Sequence, residues 1–108
     1  MNQTMREIKF RQHYLGKFHY WGFVGKGIFV APLDNTFKDK IKSEEFTGLK
    51  DKNGKEIYEG DILKDINNSR KLIQWRITTF VVGYNLADGS NNRWEVIGNI
   101  WENGDLLK

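Results

Sequence analysis

The sequence predicts a small, mostly antiparallel β-barrel, and three observations carry that reading. Apolar residues recur with a period of two along most of the chain. Eleven glycines, with frequent Asn, Asp and Ser, punctuate it at the short intervals that consecutive hairpins require. No stretch sustains a helical period beyond one or two turns. At 108 residues and 39% hydrophobic, the chain can close one core and lacks the composition of a disordered segment.

The elements follow in order. From Glu7 to Arg11 charge and bulk alternate, so Ile8 and Phe10 face one way and Lys9 and Arg11 the other. Leu15-Gly16 then makes a hairpin turn into the aromatic, β-prone run from Lys17 to Val24. A turn at Gly25-Lys26-Gly27 leads to a third strand, Ile28 to Ala31, which Pro32 ends because it has no amide to give the ladder. These three strands form an N-terminal meander. Between Asp34 and Glu45 the period weakens, and Phe37 and Ile41, four apart, fit a short helical connector capped near Asp34 or Asn35.

The stretch from Phe46 to Lys64 carries the densest turn chemistry. Asn53-Gly54 is a strong hairpin signal, since both residues accept a positive φ. Gly48, Gly54 and Gly60 fall six apart, and Asp61 after Gly60 is placed to accept from neighbouring amides and fix its turn. Ile57, Tyr58, Ile62 and Leu63 supply buried side chains between the turns. A following strand sets Ile73, Trp75 and Ile77 on one face against Leu72, Gln74 and Arg76. Phe80, Val82, Tyr84 and Leu86 share a face of another, and Asp88 to Asn92 is a loop by composition. Trp94 to Trp101 is the last strand, with Gly98 marking a bulge or bend.

Composition excludes several kinds of function. Without cysteine there is no disulfide, thiolate metal site or cysteine nucleophile. Without a long apolar run or an apolar start, a soluble, intracellular protein with no membrane partner is expected. Glu56, Glu59 and Asp61 cluster in sequence but have no nucleophile beside them. Ser43, Ser69 and Ser90 lack an elbow motif, and Gly22, Gly25 and Gly27 are not followed by a helix that would cradle phosphate. No catalysis and no cofactor are expected. His13 and His19 would oppose each other across a three-residue loop at Gly16, but a third ligand is needed, and Glu7 or Glu45 would be guesses. Two ordinary surface histidines account for them, and no metal is expected.

Two binding readings remain. Residues 1–55 hold 11 Lys and Arg against 6 Asp and Glu, while residues 56–108 hold 6 against 8. In the basic half Lys9, Arg11, Lys17, His19, Trp21 and Lys26 interleave cations with aromatics, as a single-strand-binding groove does. Nucleic-acid binding expects Lys9, Arg11, Lys17 and Lys26 on one exposed face beside Trp21. A protein interface instead expects Trp21 and Phe23 to be covered by protein and the cations to scatter. Phe23, Phe29, Trp75 and Trp101 are the aromatics expected at the surface.

The segment Glu45-Phe46-Thr47-Gly48-Leu49-Lys50-Asp51-Lys52-Asn53-Gly54-Lys55-Glu56-Ile57-Tyr58-Glu59-Gly60-Asp61-Ile62-Leu63 resembles the signature of the YopX family, small proteins of phages and prophages. Met5 to Arg11 is similar to the family's usual start, and Glu95 to Asn103 to its usual end. The resemblance implies an SH3-like barrel over residues 45–108 with an N-terminal β region, residues 1–44, packed on it as one compact unit. It also implies a phage or prophage origin and the cytoplasm of a bacterial host, and it brings no catalytic residue. Glu45 replaces the family's common Gln, and Gly104 its usual Pro. The family-like start at Met5 makes Met1 to Thr4 an extension or a second start. The expected function is a non-enzymatic accessory protein that binds protein, itself included. The alternative is a nucleic-acid-binding accessory protein that uses the basic, aromatic N-terminal half.

Overall fold

Alternating residues do become strands in the computed structural model, which describes residues 8–25, 28–33, 41–77, 82–84 and 93–107. The fold is mostly β, its strands pair antiparallel, and the chain divides into two units, Met1–Phe46 and Thr47–Lys108.

In the first unit β1 (Lys9–Tyr14), β2 (Lys17–Gly25) and β3 (Ile28–Val30) form the meander, and the opening of β4 (Ser43–Lys50) lies beside β1. The order is β3-β2-β1-β4. Leu15 and Gly16, with φ of 52° and 78°, make the two-residue turn whose twist suits a hairpin. That turn pairs His13 with Phe18 and Gln12 with His19, so the loop is one residue shorter than the histidine pairing requires. His13 and His19 consequently project from opposite faces. Gly22 is needed where β2 passes β1, because a Cβ there would sit 2.8 Å from the Ile8 carbonyl oxygen.

The second unit takes the rest of β4, then β5 (Glu56–Tyr58), β6 (Asp61–Lys64), β7 (Arg70–Leu72), β8 (Trp75–Ile77), β9 (Val82–Tyr84) and β10 (Glu95–Asn99). One turn of helix, α1 (Ile100–Asn103), and a 3-10 turn, Gly104–Leu107, follow. One sheet runs β10-β6-β7, and β8 pairs with β9. Ile57, Leu63, Ile73 and Trp94 form the core, with Leu49 and Val96 packed against it. The result is the small, mostly antiparallel β fold expected, with no closed barrel assigned among the described residues.

Two expectations are corrected, and a third lies mostly outside the described residues. The single strand expected around Ile73 is two: the Ile73 amide and carbonyl bond to Asp61 and Gly60, which buries Ile73, and the chain then leaves for a separate pairing in which Trp75 is exposed. The last strand stops at Asn99, not Trp101. Asn99 Oδ1 accepts from the Trp101 and Glu102 amides, capping a helical turn that an extended chain cannot share. Gly98 does mark a bulge against β6. The helical connector falls mostly on residues 34–40, outside the described residues, and by Ser43 the chain is already a strand. Lys26, Phe80, Leu86 and the Asp88 to Asn92 loop also lie outside them.

Candidate interaction surface

Register fixes where each basic and aromatic side chain of the first unit goes. On one side of β1 are Lys9 and Arg11, both buried at 7% and 4% exposure. Arg11 Nε donates to Glu44 Oε1 at 2.9 Å, and its guanidinium lies 4.3 Å from the centre of the Phe18 ring. Lys9 Nζ sits 4.7 Å over Phe46. These two cations are built into the sheet, each against an aromatic ring and one against a carboxylate.

The alternate residues of β1 lie on its other side. Phe10 stacks on Trp21 with ring centres 4.3 Å apart, and Trp21 Nε1 donates to Ser43 Oγ at 3.0 Å. Gln12, fully buried, accepts from the Leu33 amide at 2.7 Å, and His19 Nε2 lies 2.8 Å from the Ala31 carbonyl oxygen. Lys17 is exposed and Trp21 half-buried. The common exposed face expected of Lys9, Arg11, Lys17 and Trp21 is therefore not formed. Alternation parts Lys9 and Arg11 from Trp21, and burial takes both out of solvent's reach.

The first unit also exposes apolar side chains. Phe23 and Phe29 stand directly opposite each other on β2 and β3, with ring centres 5.4 Å apart in an edge-to-face contact. They are 50% and 56% exposed. The Phe23 amide donates to the Ile8 carbonyl at 3.1 Å, setting Ile8, 55% exposed and one residue before β1, level with the pair. Ile28 beside Phe29 is exposed as well. Phe23 and Phe29 are thus at the surface of the described residues, where both were expected.

The turn signature of the second unit behaves as turn chemistry. Gly48, Gly54 and Gly60 all take positive φ, at 89°, 84° and 90°. Asp61 Oδ2 accepts from the Tyr58 amide at 2.8 Å. Asn53, however, is not left-handed. The Gly54 amide donates to the Asp51 carbonyl, and only the glycine turns over. The residue that organises this loop is Asp51, which sequence reasoning passed over. Its Oδ1 accepts from the Asn53 and Lys55 amides at 2.8 and 2.9 Å, and its Oδ2 from Val96 at 2.9 Å. Burial raises the Asp51 carboxyl, but these three amides and the Lys55 charge outweigh it and leave the group below its ordinary value.

The same loop is built a second time at Asp65. Asp65 pairs with Ser69, the Asn68 amide donates to the Asp65 carbonyl, and Asn68 takes the left-handed place with φ of 67°. The available signal was Asp-x-Asn followed by Gly or Asn, present in both loops.

A family model described as YopX protein matches residues 27–108. The chain belongs to the YopX family. No curated protein matches it. The YopX match takes in β3, β4 and the whole second unit, and β1 and β2 precede it, so the family-like block at Met5 to Arg11 lies outside it. Within the apolar row, Phe29 belongs to the YopX match while Ile8 and Phe23 come before it. Trp75 and Trp101, inside the match, are also at the surface.

Proposed function

We propose that this YopX protein is a non-enzymatic interaction module of a phage or prophage, working in the bacterial cytoplasm, and that it engages protein through the apolar row of its first unit. The observation that carries this is the Phe23–Phe29 pair: two half-exposed rings in register, with Ile8 level with them. Isolated exposed apolar residues are ordinary, but an aligned row on a sheet is the usual mark of an interface. A second copy is the most economical cover for such a row. The nucleic-acid reading has less support, since Lys9 and Arg11 are engaged inside the sheet.

The test has two arms. Sedimentation velocity over a wide concentration range reads self-association, and Phe23→Ser with Phe29→Ser should abolish it. A photo-crosslinking amino acid at position 29, compared with one at Ile66, which is 80% exposed in the second unit, reads contact with any other protein. A chain that stays monomeric and crosslinks no more at 29 than at 66 would end the proposal.

A further inference from the structure

We infer that the Asn53–Gly54 bond is a self-modification site, capable of closing to a succinimide, which Asp51 holds shut. An Asn followed by Gly undergoes this chemistry readily because glycine leaves its amide unhindered. The Gly54 nitrogen gives its proton to hydroxide and bonds to Asn53 Cγ. The bond from Cγ to the side-chain nitrogen breaks, and that nitrogen takes a proton from water and leaves as ammonia, which regenerates the hydroxide. Water then opens the ring at either carbonyl, leaving aspartate or isoaspartate at position 53.

Both residues are exposed, and a Cβ placed on Gly54 would meet nothing within 4 Å, so packing does not protect the bond. Hydrogen bonding does. The attacking Gly54 amide donates to the Asp51 carbonyl at 3.0 Å, and the amides on either side, Asn53 and Lys55, are both held by Asp51 Oδ1. Ring closure needs the Gly54 nitrogen freed, turned toward Cγ and carrying negative charge. The Asp51 hydrogen bonds oppose the first two, and its carboxylate beside the same amides opposes the third. Isoaspartate would add a methylene to the backbone between residues 53 and 54, so the turn could not reform and Asp51 would lose its partners. The reaction is therefore a one-way unfastening of the loop that ties residues 51–55 to β10 through Val96.

The chain carries its own reference. Asn103–Gly104 is a second Asn-Gly bond, held differently: Gly104 is helical, with φ of −55°, and Asn103 Oδ1 accepts from the Asn99 amide. The full chain is incubated in mildly alkaline buffer, native and in urea, and peptide mass mapping scores isoaspartate at both positions. Native position 53 should react at least about tenfold more slowly than the same position in urea, as reaction through local opening requires. Asp51→Ala, shown by circular dichroism to be folded, should speed position 53 and leave position 103 at its wild-type rate. Equal native and urea rates at position 53, or no isoaspartate there even in urea, would overturn the inference. So would a folded Asp51→Ala chain that reacts no faster. Should that variant not fold, the native-against-urea comparison decides alone.

Discussion

Asp51 shows how one side chain sets the conformation of a loop. A single buried carboxylate satisfies three amides, two in its own turn and one on β10. Replacing it with Asn puts a donor where Val96 also donates, so Asp51→Asn should cost about 1–3 kcal/mol in urea unfolding at neutral pH. The pH dependence has a fixed sign. The folded carboxyl lies below its unfolded value, so its stabilisation is complete above the unfolded value and drains away as pH falls through the folded one. The gap between wild type and Asp51→Asn should therefore hold from neutrality to about pH 5 and shrink below it. A gap that stays constant into acid would mean that the carboxylate charge contributes nothing. Gly60 offers a second check: with φ of 90° and its amide and carbonyl both bonded, Gly60→Val should destabilise by about 1–3 kcal/mol in a thermal or urea melt. A melt matching wild type would remove the turn-chemistry account of the signature.

Among the elements, the first hairpin is held by pairing despite its turn. Leu15 has a left-handed φ of 52°, a conformation that costs a γ-branched residue and suits Asn, and its side chain is exposed, so the cost has no packing return. Leu15→Asn should raise stability by about 0.5–1 kcal/mol, read as a higher urea midpoint at unchanged slope. A lower midpoint would show that Leu15 makes a contact worth more than its strain. The hairpins were legible in the sequence because alternation and glycine both point to them. The helical turn after β10 was missed because Val96, Ile97 and Ile100 continue an apolar run that hides a local signal, Asn99 followed three residues later by Glu102. The break between β7 and β8 was hidden likewise, since Ile73 and Trp75 alternate correctly while only Ile73 enters the core.

For the molecule as a whole, the sequence showed a basic half but not where its charges point. Period two assigned Lys9 and Arg11 to a common face of β1, which is correct, and pattern alone then read charge as exposure. Glu44 and Phe46, more than thirty residues away, convert that face into a buried ion pair and a cation held over a ring. No local pattern announces such pairing. The consequence can be measured by fluorescence anisotropy of labelled single- and double-stranded DNA and RNA at several salt concentrations. Each phosphate neutralised contributes roughly −0.7 to −0.9 to the slope of log affinity against log salt. With Lys9 and Arg11 unavailable, any binding should be weak and shallow, with a slope no steeper than about −2. Lys17→Ala should hardly change it, while Arg11→Met should destabilise the fold by about 3–5 kcal/mol, because it removes a buried ion-pair partner of Glu44. A slope near −5, lost when Lys17 and Trp21 are replaced in a folded chain, would instead return the basic half to the role of a nucleic-acid surface.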